Sequence, residues 1–380
     1  MINVNSLLKN SALHNIPINN SGSNNSENVV KTRLSFADGL RGLAAFWVVL
    51  FHLAEGHHIE TLKNMLPKFA YNVVFGWGHL GVAVFFVLSG FVMALTAHKV
   101  KFDVTNALKF IARRLTRLAP PYYFAIFFAL IFIFIKSKAL HLTYIAPIAS
   151  DLIKHAFFVQ DMLNVPQVNV VFWTLCIEVQ FYIAFALLVW LADSLDRKIK
   201  ISNARNMTII VMCLTALLWP LNIVSTIFWT GGFIGFWYSF LAGVIICWGW
   251  LNKGFLLKAA IGYCAILLII GVVYNADFTI AAAITASLLL LAGSLDKMHV
   301  WLNWAFLQWL GLISYSLYLL HNPVTGASAN IARKIFSNGL FADVFSMLIS
   351  ILACLLAAYI SFLIVERPSI NWSHQIKLKK

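Results

Sequence analysis

Stretches of apolar residues long enough to cross a bilayer recur in this chain from residue 36 to residue 365, and nothing else restricts its fold as strongly. A membrane-spanning helix needs about 20 consecutive apolar residues. The chain has 380 residues, of which 61% are hydrophobic and 11% charged, against about 25% charged in a soluble domain. The pattern describes an all-α, polytopic membrane protein with no separate soluble domain. Ten spans are expected, at 37–55, 79–97, 119–136, 171–192, 207–223, 230–250, 255–274, 277–293, 304–322 and 343–365.

The basic residues orient these spans, because Lys and Arg accumulate in cytoplasmic segments. With the N-terminus inside, most of the 28 Lys and Arg fall on the cytoplasmic side, including Lys99, Lys101, Lys109, Arg113, Arg114, Arg117, Arg205 and Arg367. Both termini are therefore expected in the cytoplasm. Residues 1–35 are rich in Asn and Ser and lack the order of a signal peptide, so they are expected to be a disordered cytoplasmic tail. A transmembrane domain over 36–368 and a short basic tail over 369–380 complete the expected organisation. The net charge of +14 mostly reflects topology, and no soluble basic face exists to hold nucleic acid. The five cysteines all lie in apolar segments, without metal spacing. They are expected to be small core residues, with no disulfide framework and no metal site.

Ionisable side chains inside such spans are expensive and suggest function. Arg41 and His52 lie in the first span, 11 residues apart. That spacing is three helical turns plus about 20°, so the two share a face, separated by roughly 16 Å along the axis. Counting inward from residue 171 puts Glu178 about two turns below the outer surface, at a depth similar to that of His52. His321 ends the ninth span, just before Asn322-Pro323. A carboxylate beside an imidazole orients its ring, and such a histidine can take a proton from a hydroxyl and return it. Structural roles stand beside these: His52 as a helix-pairing donor, Glu178 as a carboxylate satisfied by Tyr182, and His321 as an interfacial cap.

Arg113, Arg114 and Arg117 gather on one side of a helix just before Pro120-Pro121. Guanidinium groups there suit the phosphates of a cytosolic ligand, while the positive-inside rule and lipid headgroups account for them equally. Ser89-Gly90 puts a small pair inside the second span, suited to close helix packing or to leaving a notch for a threaded ligand. No Walker loop and no Gly-x-Gly-x-x-Gly segment is present, which disfavours a nucleotide hydrolase or a Rossmann cofactor site.

Six of these stretches, in order, resemble the acyltransferase family 3 integral membrane proteins. They are Asp38-Gly39-Leu40-Arg41-Gly42 with His52; Phe85-Phe86-Val87-Leu88-Ser89-Gly90-Phe91; Arg113-Arg114-Leu115-Thr116-Arg117-Leu118 before Pro120-Pro121-Tyr122; Phe172-Trp173-Thr174-Leu175-Cys176-Ile177-Glu178-Val179-Gln180-Phe181-Tyr182; Gly311 to His321; and Val365-Glu366-Arg367-Pro368. The resemblance covers residues 34–368. It implies a ten-helix fold in the bacterial inner membrane that takes an acyl group, commonly acetyl, from cytosolic acyl-CoA. The acceptor it implies is a hydroxyl of a cell-surface or secreted glycan or glycolipid, such as lipopolysaccharide, or of another small molecule. The family's Arg-to-His signature maps onto Arg41 and His52, its Arg-x-x-Arg motif onto Arg114 and Arg117, and its acid onto Glu178. The segment around Glu178 departs from the family in having Cys176 where Ser is usual and a single carboxylate. With only Ser369–Lys380 beyond the last motif, the stand-alone form without an extracytoplasmic hydrolase-like domain is expected.

On this reading the donor's phosphates rest on Arg113, Arg114 and Arg117, and its pantetheine arm passes Arg41 and Ser89. The thioester then meets the acceptor near His52, which acts as general base beside Glu178 and Arg41. Asp38, Trp173, Tyr182 and His321 complete the expected substrate-binding set, and no metal is involved. A proton-coupled transporter of a small polar solute would use the same kinds of buried residues and is the alternative.

Overall fold

The computed structural model describes residues 34–139, 141, 143, 146–199, 203–224, 231–335 and 339–379. The expected tail over 1–35 therefore lies outside the described residues up to position 33, while Ser35 already begins the first helix. In chain order the helices are α1 (Ser35–Glu55), α2 (Glu60–Met65), α3 (Lys68–Val74), α4 (Gly81–Ala97), α5 (Val104–Ala139), α6 (Ala149–Ala156) and α7 (Trp173–Ile199). They continue with α8 (Ala204–Ala216), α9 (Trp237–Asn252), α10 (Gly254–Val273), α11 (Asp277–Ser294), α12 (Ala305–Ile335), α13 (Leu340–Ser361) and α14 (Arg367–Gln375).

Eight helical segments among the described residues are long and apolar enough to cross a membrane: Ser35–Glu55, Lys68–Ala97, Val104–Ala139, Val170–Arg197, Phe233–Asn252, Gly254–Val273, Asp277–Ser294 and Leu340–Gln375. The chain is an integral, helical membrane protein. The remaining two expected spans take other forms. The stretch 207–223 becomes the 13-residue α8 followed by turns, roughly 20 Å of helix against a hydrocarbon core of about 30 Å. The stretch 304–322 forms the first part of the 31-residue α12. The short helix expected within 152–163 lies slightly earlier, as α6. The C-terminal residues pack onto the domain: α14 is helical, and the side chain of Asn106 bonds both the carbonyl and the N–H of Lys379.

Two close helix crossings organise the bundle. α4 crosses α9 at Gly90 and Gly243, where a Cβ on either glycine would run into the other helix's backbone, at Phe240 O and Val87 O respectively. Stacked rings seal this crossing, with Phe240 4.4 Å from Phe86 and 4.1 Å from Phe181. Trp248 Nε1 donates to Ala94 O at 3.0 Å. α1 crosses α12 at Gly42, whose Cβ would fall 2.6 Å from Gly311 N, while Gly311 lies against the Asp38 carbonyl. Small residues permit such approach where helices in lipid gain little from hydrophobic burial against each other.

α4 runs antiparallel to α1. Gly78 rests on Trp47 and Phe51, and Gly81 rests on Ala44 and Val48. Ser89, eight residues further on, is thus roughly 12 Å beyond Gly81 in the direction away from His52. At that far end Arg205 ties three segments together, donating to Asp193 Oδ1 at 2.8 Å, Ala97 O at 3.0 Å and Val100 O at 2.8 Å.

Candidate active site

α1, α4, α5, α7 and α12 enclose a cleft of about 790 Å³ of empty volume. Its cationic lining is Arg41, Arg114 and Arg117, joined by Ser89, Glu178, Tyr182, Thr174, Ser314, Tyr315 and Tyr318. Arg114 and Arg117 reach it because their spacing of three puts both on the same side of α5. Arg114 Nη2 donates to Thr96 Oγ1 at 3.0 Å, and its guanidinium stacks 5.8 Å from the ring centre of Tyr182. Arg113, half-buried, is not among the residues that line the cleft.

Glu178 holds the opposite charge. Its Oε1 accepts hydrogen bonds from Ser89 Oγ and, at 2.5 Å, from Tyr182 OH. The expected Ser89-Gly90 pair thus divides its work: Gly90 meets α9, and Ser89 faces the cleft and Glu178. The structure brings Glu178 to Ser89 and Tyr182 rather than to His52. The depth expected from counting differs because residue 171 is not at a surface. Val171 and Phe172, in a 3-10 turn ahead of α7, are themselves buried.

His52 meets another histidine. His321 Nε2 lies 3.1 Å from His52 Nδ1, across the seam of α1 and α12. The hydrogen bonds assign the protons. His321 Nδ1 faces the carbonyl of Tyr318 at 2.8 Å, and a carbonyl only accepts. That nitrogen carries the hydrogen, so Nε2 of the neutral ring is an acceptor. His52 Nδ1 faces this acceptor and Val48 O at 2.9 Å, so it too is protonated. The lone pair of neutral His52 is therefore on Nε2, which lies 3.7 Å from Glu55 Oε2. His321 is fully buried, and the His52 side chain is 12% exposed. The two sites adjoin through Tyr318, which lines the cleft and lies 5.9 Å from the His321 ring.

The other expected residues sit in the supporting structure. Asp38 is buried in the first turn of α1, its carbonyl against Gly311. Trp173 opens α7, 5.5 Å from the ring of Phe236. The five cysteines are buried free thiols. Among the described residues no three His, Cys, Asp or Glu side chains are grouped to hold a metal ion.

A family model described as "Acyltransferase domain" matches residues 34–366. The chain belongs to this acyltransferase family. Among curated proteins, it is 26% identical over 377 residues to the O-acetyltransferase OatA of Staphylococcus aureus (strain NCTC 8325 / PS 47), with 87% of this chain and 56% of that protein covered. It is 24% identical over 366 residues to the putative peptidoglycan O-acetyltransferase YrhL of Bacillus subtilis (strain 168), covering 84% of this chain and 56% of the relative. The chain spans about half the length of the curated relatives it matches. No solved structure matches it.

The fold also gives the acyltransferase domain functional candidates that the sequence reading passed over. Glu366 is 2% exposed and accepts from Ser316 Oγ at 2.6 Å and Ser316 N at 3.1 Å. It also interacts electrostatically with Arg117 and Arg41. Counting acids within span limits left Glu178 as the only deep one, because the last span was drawn to residue 365. The signal was present in Val365-Glu366-Arg367-Pro368, where the acid directly follows a long apolar run. Tyr315 and Tyr318 were visible only as members of the Gly311–His321 motif; both line the cleft.

Proposed function

We propose that this chain is a membrane O-acyltransferase that moves an acetyl group from acyl-CoA to a hydroxyl of a cell-surface glycan, with His52 as general base. Peptidoglycan, which the name of the Bacillus relative specifies, is one acceptor of this class. The observation that carries the reading is the hydrogen-bonded His52–His321 pair beside an arginine-lined cleft.

Acyl-CoA enters as a substrate from the Arg114 and Arg117 end, which is the cytoplasmic side in this proposal. Its anionic groups meet Arg114 and Arg117, and its thioester is carried past Arg41 toward His52. Charge-assisted bonds from guanidinium to phosphate are strong and directional. His52 Nε2 takes the proton of the acceptor hydroxyl, and the hydroxyl oxygen attacks the thioester carbonyl carbon. The tetrahedral oxyanion collapses, the C–S bond breaks, and the thiolate of CoA leaves with the proton that His52 returns. While His52 is an imidazolium, His321 Nε2 and Val48 O accept from its Nδ1–H. Glu55 stands 3.7 Å from its other nitrogen. Glu178, fixed by two hydroxyl donors, shapes the donor channel, and Glu366 balances Arg117 and Arg41.

The test is transfer of labelled acetyl from acetyl-CoA to endogenous glycan, in membranes carrying wild type, His52→Ala or His52→Gln at equal protein level. Label with wild type alone is expected. Full activity in either variant would overturn the assignment of His52. Acceptor movement without any acetyl transfer would overturn the enzyme reading as a whole.

A further inference from the structure

α12 contains Pro323 within its length. Proline has no N–H, so the carbonyl four residues earlier loses its helical donor. That carbonyl belongs to Leu319, which is buried, and a buried carbonyl without a partner is costly. Asn169 supplies the missing donor, with Nδ2 3.1 Å from Leu319 O. Its Oδ1 accepts from Asn322 Nδ2 at 3.2 Å and from Val171 N at 3.4 Å. Tyr318 OH joins the same turn, 2.8 Å from Thr174 Oγ1 and 3.2 Å from Val171 O. Residues 318, 319 and 322 flank His321, and all three are held by the turn at 169–174.

We propose that Asn169 is a positioning residue for the general base. It holds the proline-broken turn of α12 so that His321 Nε2 faces His52 Nδ1, and thereby keeps the lone pair of His52 on Nε2. The inference rests on the reading of His52 as base. Asn169 acts through the backbone of Leu319 and the side chain of Asn322. Loosening it lets His321 withdraw, and His52 then loses the partner that fixes its tautomer and ring position.

The experiment compares wild type, Asn169→Ala, Asn169→Ala/Pro323→Ala and His52→Ala as full-length chains in membranes with labelled acetyl-CoA and endogenous glycan. Rates are normalised to folded, monodisperse protein after solubilisation. Asn169→Ala is expected to lower the maximal rate about 10- to 100-fold, the scale of a small misplacement of a catalytic group. The KM for acetyl-CoA stays unchanged, and the acid limb of the pH–rate profile moves. Replacing Pro323 in that background returns an N–H to Leu319 O, so the double variant recovers several-fold over Asn169→Ala. A wild-type rate and pH profile in Asn169→Ala, with His52→Ala inactive, would sink the brace and leave the base standing. So would a double variant no better than the single one. Activity in His52→Ala would remove the underlying reading and this inference with it.

Discussion

The α4–α9 and α1–α12 crossings use the same device for different ends. In each, glycines let two backbones approach more closely than any Cβ would allow. The α4–α9 seam is closed by stacked phenylalanines, Phe86, Phe240 and Phe181, and carries no titratable group at its point of contact. The α1–α12 seam runs from Gly42 and Gly311 to the His52–His321 pair, with Arg41 facing the cleft beside it. A glycine at a crossing therefore sets a distance. What that distance serves depends on the residues one to three turns away.

Removing the chemistry from one seam without touching its packing gives the largest expected effect. His52→Ala should reduce acetyl transfer about 10²- to 10⁴-fold, the usual contribution of a general base, with an unchanged thermal unfolding midpoint in detergent. An equal fall in the midpoint would make His52 a packing residue and erase the contrast. Next comes the electrostatic wall behind the α1–α12 seam. Glu366→Ala leaves Arg117 and Arg41 without this buried counter-charge and should cost about 3 kcal/mol of stability, measured by thermal or denaturant unfolding. The α4–α9 seam should respond in the opposite sense to His52. Gly90→Val overpacks it by about 1–3 kcal/mol, seen as a lower yield of monodisperse protein, while the activity per folded molecule is retained. The smallest effect is expected at Thr96→Val, which removes the hydroxyl that Arg114 donates to. Polar contacts of this kind between membrane helices contribute about 0.6 kcal/mol on average, so the KM for acetyl-CoA should change by about threefold at most.

Much of the fold was legible because a bilayer demands length, and length is visible in the sequence. The helices fall where the apolar runs fall, except where a run is too short to cross, as in the 13-residue α8. The polar members of the site were legible one by one, since each stands out against apolar neighbours. Their pairing was not. His52 and His321 are 269 residues apart, and nothing local to either names the other. Depth counting also assumed that spans begin and end at the surface. The turn at 170–172 enters buried, which moves Glu178 away from His52. The acid at 366 looked like the end of a span, yet it is folded in.

The way Glu366 is folded in has a consequence for the tolerance of this segment to insertion and deletion. Phe362–Glu366 forms a π-helical turn between α13 and α14, a wider coil that holds one residue more than an α-helical turn would. Every residue of an α-helix advances the chain by about 100° around its axis. Deleting any one position between 362 and 365 would let the turn relax to an α-helix, and all that follows would swing by about that angle. Glu366 would leave Ser316, and α14 would turn a different side toward α5. A mutation that changes no side chain's chemistry, only the count of residues, would thus dismantle the counter-charge behind the cleft.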